Sequence, residues 1–197
     1  MPSLQARVAP AATFDSFAVV LGDTPDEKRR VAMAWLGDWL TFRIGGGQRG
    51  VAVFDIDDTL STDADVRIAA VCDVFDLCIV LHIPVYVITA RPDWPENRKR
   101  TVKWLRDNKL DGYQRLDMMP RKDYPESTDF EPRVSKFKKE YRQRIGKEII
   151  ANIGDQWTDG FLFPLSRQEA EMLGSSKQAA IVFQKGSNGP FIKLPGR

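Results

Sequence analysis

Asp55 and Asp57, in the run VAVFDIDDTL at residues 51–60, stand where an apolar segment gives way to polar chain, and Thr59 follows two positions later. In an extended chain successive side chains alternate between faces, so the two carboxylates share a side while Ile56 points away. Both acids can then reach one substrate. A carboxylate can attack a phosphorus centre, and a second acid nearby can protonate the departing alcohol and later activate water. The spacing therefore predicts phosphoryl-transfer chemistry. An Asp-x-Asp-x-Thr string also arises by chance, so its position at a strand end carries more weight than the string itself. The competing reading is a solvated acidic turn after a strand.

Two further apolar segments end in useful residues. Thr89, Ala90 and Arg91 follow PVYVI at 84–88, and Gly154, Asp155, Gln156, Trp157, Thr158 and Asp159 follow IIANI at 149–153. Asp55, Asp155 and Asp159 would repel one another beside a phosphate unless a hard cation neutralised them. Magnesium fits, because it takes oxygen ligands and commonly combines one or two carboxylates with substrate phosphate. Zinc does not fit, since the chain has one His and two Cys without ligand-like spacing. His82, at the start of a strand segment, reads as a structural or surface residue. Asp58, Thr59 and Arg91 are placed to contact phosphate or substrate. The balancing cation is expected from a helix at 134–146. Its apolar stripe is Val134, Phe137, Tyr141 and Ile145. At about 100° per residue, Lys138 lies about 55° from the stripe centre, whereas Lys136 and Lys139 lie roughly 145° or more away. Lys138 is the inward-leaning candidate, with Lys136 left open because it lies near the helix start. The cations Arg98, Lys99, Arg100, Lys103 and Arg106 read as a solvated helix face.

The elements that must position these residues alternate. Strands are predicted at 50–55, 84–88, 115–118, 149–153 and 180–184, with helices at 63–81, 94–109, 134–146 and 166–173 between most of them. This pattern predicts an α/β fold, a mainly parallel sheet wrapped by helices, with ligands bound beyond the carboxyl ends of the strands. Ahead of that core at 50–197, residues 1–13 read as a loose arm and 24–43 as a helix starting at Thr24-Pro25-Asp26-Glu27. Trp35 and Trp39 fall on its apolar face and should point to the core. Gly45-Gly46-Gly47 precedes a strand and lacks a Gly-Lys-Ser/Thr ending, so it reads as a connection and not a phosphate loop. The irregular stretch from about Met119 to Arg133 is expected to be a functional loop or flap.

A chain of 197 residues, 43% hydrophobic, suits one domain with a full core. Its net charge of +2, from 29 basic and 27 acidic residues, gives no general signal for a polyanion partner, so nucleic acid is possible but not indicated. Cys72 and Cys78 sit in an apolar helical segment and read as buried free thiols, which suits a reducing compartment. Neither a signal peptide nor a membrane span is recognisable, so a cytoplasmic protein without a membrane partner is expected.

The set Asp55-Ile56-Asp57-Asp58-Thr59, Thr89, a downstream lysine and Gly154-Asp155-x3-Asp159 resembles the phosphatase branch of the haloacid dehalogenase superfamily. Within it, VYVITARPDWPENRKRTVKWL, LDGY, FKKEYRQRI, IIANIGDQWTD and FIKLPGR are similar to the subfamily IIIB acid phosphatase group, which includes plant vegetative storage proteins and bacterial class C acid phosphatases. The resemblance covers about residues 50 to 197. It implies a Rossmann-like three-layer sandwich with a five-stranded sheet and the strand ending at Asp55 in the centre. It also implies that Asp55 is the nucleophile forming an aspartyl-phosphate and that Asp57 is general acid and then base. Thr89 would hold phosphoryl oxygens, and Lys138 would neutralise nucleophile and phosphate. Asp55, the backbone carbonyl of Asp57 and Asp155 would bind Mg2+, with Asp159 supporting. The presence of Asp57 argues against dehalogenation.

Only 29 residues separate Thr59 from Thr89, which leaves no room for an inserted cap domain and predicts an open site. An open site admits many phosphomonoesters. The alternatives are a phosphatase specialised for a nucleic-acid end or a phosphoprotein, and a weakly active storage or binding relative. The intact Asp55 speaks against the last.

Overall fold

The computed structural model describes residues 4–7, 14–62, 64–124, 130–159, 178–184 and 189–196. Strands β1 (Leu4–Arg7) and β2 (Phe14–Val20) precede helix α1 (Pro25–Gly45). Then come β3 (Val51–Phe54), α2 (Ala69–Val80), β4 (Val85–Asp93), α3 (Pro95–Asp107) and β5 (Arg115–Pro120). The chain continues through α4 (Phe130–Gln143), β6 (Ile149–Gly154), β7 (Ala179–Gln184) and β8 (Pro190–Lys193).

The described strands form one sheet in the order β1, β2, β7, β8, β6, β3, β4, β5. From β8 to β5 all pairs are parallel, and β7, β2 and β1 extend the sheet with antiparallel pairs. The α/β class and the mainly parallel sheet match the sequence reading, but the sheet has eight strands and not five. The segment at 180–184 is a strand, yet it runs antiparallel to both neighbours, and the fifth parallel strand is β8. Its run PFIK opens on a proline and closes on a lysine, leaving two apolar residues as the strand signal. Leu4–Arg7, expected within a loose arm, pairs with β2.

Helix boundaries also shift. α2 starts at Ala69 and not near 63, because the preceding chain is held by bridges between Asp57 and Ser61 and between Ser61 and Arg67. The Met119–Arg133 stretch is not a long loop among its described residues. β5 runs to Pro120, a 3-10 turn spans Arg121–Asp123, and α4 already begins at Phe130. The helix expected at 166–173 lies outside the described residues.

Alternation along the central strands builds two apolar layers. Ala52 and Phe54 of β3, with Val85 and Val87 of β4, pack with α1, α2 and Leu105 of α3. Val51 and Val53, with Tyr86 and Ile88, pack with Val134 and Phe137 of α4 on the other face. A strand covered on both faces must be apolar throughout, which is why these runs do not alternate in polarity. α1 is started by a reciprocal pair of bonds between Thr24 and Glu27. Its Trp35 and Trp39 stack at 5.6 Å and meet the edge of Phe183, the core-facing role expected of them. Cys72 and Cys78 are buried free thiols, and burial raises them to about 11 and about 12. Among the described residues, no helix is long and apolar enough to cross a membrane.

Phe54 and Phe75 are fully buried with ring centroids 5.4 Å apart, joining β3 to α2. Phe75→Ala is expected to cost about 3–5 kcal/mol, read as a lower urea midpoint; a loss below about 1 kcal/mol would contradict this packing.

Candidate active site

β3 lies where the strand order turns. The chain steps from β3 outward to β4 and β5, then returns to place β6 on the other side of β3. The carboxyl ends of β3 and β6 therefore flank the crevice in which open parallel sheets bind ligands. Asp55 follows β3 directly, and its backbone N–H donates to the Ile153 carbonyl of β6 at 3.0 Å. Beyond it the chain wraps around one acceptor. The Ile56 carbonyl receives the N–H groups of Thr59, Leu60 and Ser61 at 3.2, 2.8 and 2.9 Å, with Asp58 at φ 54°.

At the end of β6, Gly154 lets the returning chain come close: a methyl group there would overlap the Asp159 side chain. A 3-10 turn at Trp157–Asp159 brings Asp159 back over the strand. Its Oδ2 accepts the Gln156 N–H at 3.0 Å, and its carbonyl accepts Asn152 Nδ2 at 2.5 Å. Asp155, Asp159 and Asp55 are buried, and each offers one oxygen within 4.8 Å of the others. Lys138 reaches this cluster from α4, donating to Asp55 Oδ2 at 2.9 Å and to Asp159 Oδ1 at 2.5 Å.

The electrostatics follow from burial. Desolvation pushes the Asp55 carboxyl up to about 7; Lys138 pulls the other way, while Asp159 and Asp57 add to the rise. Desolvation likewise raises Asp155 to about 8, helped by Asp159 and Asp55. For Lys138, burial favours loss of the proton, but Asp159 and Asp55 outweigh it and hold the ammonium charged. One ammonium is thus shared where three carboxylates meet. Asp55 Oδ1 is buried without a hydrogen-bond partner among the described residues. An orphaned carboxylate oxygen inside an all-oxygen donor set fits a hard divalent cation, which Asp55, Asp155 and Asp159 could hold.

The remaining candidates divide. Lys138 and not Lys136 enters the site: Lys136 is exposed and pairs with Glu140 at 4.0 Å. Asp57 does not share the setting of Asp55. β3 ends at Phe54, so strand alternation stops before Asp57, and its half-exposed carboxylate faces the guanidinium of Arg91 instead. Arg91 donates to Asp57 at 2.9, 3.1 and 2.6 Å and to Asp65 at 3.2 Å. The Asp57 carboxylate is accordingly not part of the three-acid cluster. Thr89 Oγ1 donates to Asp57 at 3.5 Å and accepts the Arg91 N–H at 3.2 Å. The pairing of β4 with β5 shifts register between Thr89 and Pro92, which frees Arg91 from the ladder at the site. Thr59 is buried, and its hydroxyl has no hydrogen-bond partner among the described residues. Asp58 is partly exposed; its charge adds to the rise of Asp155.

Three residues escaped sequence reasoning. Arg142 is buried one helical turn after Lys138, donates to Asn152 Oδ1 at 3.3 Å and lies 3.7 Å from Asp159. Its signal was the i, i+4 spacing from Lys138. Asn152 was hidden inside an apolar strand. Lys193 is fully buried opposite Gly154 and donates to the Leu194 carbonyl at 2.5 Å. Burial brings its ammonium down to about 8 against the pull of Asp155 and Asp159. A lysine ending an apolar strand, as in FIKL, was the available cue.

Neither protein-family models nor curated proteins yield a match for this chain.

Asp55 and Asp155 have folded-state values above the carboxylate range, so their protonation stabilises the ion-free fold. That contribution is full below about pH 4 and is lost as pH rises through 7 to 8. A divalent ion held by the cluster would take the place of those protons. Added magnesium is therefore expected to raise the melting temperature more at about pH 8 than at about pH 5.5 and to release protons on binding. Asp155→Asn and Gly154→Ala should both remove the shift, and an equal shift in all three proteins would rule out this cluster as the ion's site.

Proposed function

We propose that the chain is a magnesium-dependent phosphomonoesterase of the haloacid dehalogenase superfamily, with the Rossmann-like core its sequence resembles. The observation that carries this reading is the buried Asp55 carboxylate, bonded to Lys138 and set among Asp155 and Asp159 where the strand order turns. A nucleophilic carboxylate needs a cation beside it, shielding from bulk water and an electrophile held in line, and the first two are supplied here.

In the first step an Asp55 oxygen attacks phosphorus and the bond from phosphorus to the leaving oxygen breaks. Asp57, once released by Arg91 and protonated from solvent, gives that proton to the leaving oxygen. In the second step Asp57 takes a proton from water, whose oxygen attacks phosphorus and breaks the bond to Asp55, regenerating the carboxylate and releasing inorganic phosphate. Lys138 neutralises charge on Asp55 throughout, and Thr89 and Thr59 offer hydroxyl donors to phosphoryl oxygens. Magnesium, when bound by Asp55, Asp155 and Asp159, supplies charge neutralisation to the phosphate. Arg91 tethers Asp57 at the mouth of the site, so acid catalysis requires that pair to open. An incoming phosphate is the anion able to draw Arg91 away.

A panel of phosphomonoesters assayed with magnesium or EDTA tests the reading. Asp55→Asn is expected to abolish turnover, and robust activity in that variant would reject the covalent route. Asp57→Asn should slow the chemistry by roughly 10²- to 10⁴-fold with substrate binding nearly intact, the span for a lost general acid. An unchanged rate would remove Asp57 from that role.

A further inference from the structure

We infer that the cleft beside Asp57 and a basic groove adjoining it form one path for single-stranded nucleic acid, whose terminal phosphate enters the active site. The inference rests on the phosphatase reading and names its substrate class. The cleft, of about 640 Å³, has Trp94 and Arg100 on its wall beside Arg91, against the acids Asp57, Asp65 and Glu96. Trp94 caps the start of α3, yet it is 41% exposed. The Arg121 guanidinium lies 5.9 Å from its ring centre, and Tyr124 meets it edge-on at 6.1 Å. A partly exposed indole with one cation, Arg121, over its ring suits an unpaired base, which can stack on an exposed aromatic whatever its sequence.

The adjoining groove, of about 380 Å³, lies between the end of β5 and α4. Lys122, Arg133, Lys136 and Arg144 line it against two acids, Asp123 and Glu140. Lining residues of the two spaces are neighbours at the ends of β4 and β5. Asp93, next to the cleft residue Pro92, pairs with Pro120, which lines the groove. Arg121 and Tyr124, the neighbours of Trp94, directly follow Pro120 in the chain, Arg121 next to it and Tyr124 at the far side of the 3-10 turn. Cations therefore continue past the reacting phosphate instead of ending at it. A phosphoprotein brings one phosphate, whereas a nucleic acid brings an anion with every nucleotide, and only the latter makes use of that continuation. The chain as a whole carries only +2, so the attraction comes from this clustering and not from overall charge.

Binding is measured by fluorescence anisotropy on the Asp55→Asn protein, which needs no turnover. The probes are a 5′-phosphorylated oligothymidylate of about ten nucleotides, its 3′-phosphorylated counterpart and a phosphoserine peptide of similar length. At least one oligonucleotide is expected to bind about tenfold or more tighter than the peptide. Its affinity should fall about 20-fold between about 50 and 200 mM salt, the slope for about three phosphates of a single strand. Adding Lys122→Glu with Arg133→Glu, both at exposed positions, should weaken it at least about tenfold, and Trp94→Ala should weaken it about fivefold or more. Peptide binding as tight as the oligonucleotide, no salt dependence, or no effect of the charge reversals would each overturn the path. Turnover of a small phosphomonoester by the wild type tests the phosphatase reading separately. Its absence, with salt-sensitive oligonucleotide binding intact, would remove that reading alone and support the path as a binding groove.

Discussion

The shared ammonium of Lys138 is the contact on which the site's geometry depends. Three carboxylates gathered away from water would not stay together unaided, because each loses hydration and repels the others. Lys138 bonds two of them directly, and it can do so only because α4 covers the face of the sheet opposite α1, α2 and α3. The layered arrangement is thus tied to the chemistry. The parallel strands bring the acids to the ends of β3 and β6, and the helix on the far side brings the base. Such a buried pair adds little net stability, but removing one partner strands a charge in a low dielectric, at a cost of about 3–5 kcal/mol. The cluster is therefore a specifier of geometry more than a stabiliser.

Asp55 and Asp57 are two residues apart and live in different media. Asp55 is held by β6 and by α4 in a dry pocket; Asp57 stands half in solvent with an arginine as partner. On the proposed mechanism, that asymmetry would separate a nucleophile, which must stay in place, from a group that exchanges protons with substrate and water. Two local devices create it. β3 stops one residue short of Asp55, so the chain turns about the Ile56 carbonyl. β4 then shifts its register after Thr89, and Arg91 leaves the ladder to meet Asp57. A register shift beside an active site is a recurrent way of re-aiming one side chain without disturbing the strand that carries it.

What the sequence could reveal was governed by burial on both faces. Strands β3, β4 and β6 read clearly because they must be apolar throughout, and the ends of their apolar runs announced Asp55, Thr89, Asp155 and Asp159, although β4 itself continues past Thr89 to Asp93. The helical wheel found Lys138 because an amphipathic helix has a definable inner edge. Arg142 lay on that same edge, but a charge at such a position looks like solvated surface until its acceptors are known. Lys193 and Asn152 were obscured by the rule that makes strands legible, since a polar residue inside an apolar run carries no mark of what it bonds. β8 was masked by the proline that opens it and the lysine that closes it, and the antiparallel direction of β7 is a property of connections that local pattern does not encode. The facing of Asp57 failed for a single reason: alternation was extended three residues past Phe54, where the strand ends.

Charge and hydrogen bonding are balanced differently in this pocket, and the difference defines where a cation belongs. Three buried acids, Asp55, Asp155 and Asp159, are accompanied by three buried bases, Lys138, Arg142 and Lys193. Formal charge is therefore matched. The bases are not distributed evenly, however. Lys138 bonds Asp55 and Asp159, Arg142 stands off at 3.7 Å from Asp159 and bonds Asn152, and Lys193 bonds the Leu194 carbonyl. Asp155 receives its side-chain bond from the neutral amide of Gln156. Asp55 Oδ1 is left without a donor among the described residues. The cations thus tolerate the acids without saturating them, and Asp55 Oδ1 is the oxygen that stays open. Leaving that buried oxygen without a donor costs about 1–3 kcal/mol. On the proposed reading, a divalent ion held by the three acids would offset that cost, its own charge being balanced by the phosphate it accompanies.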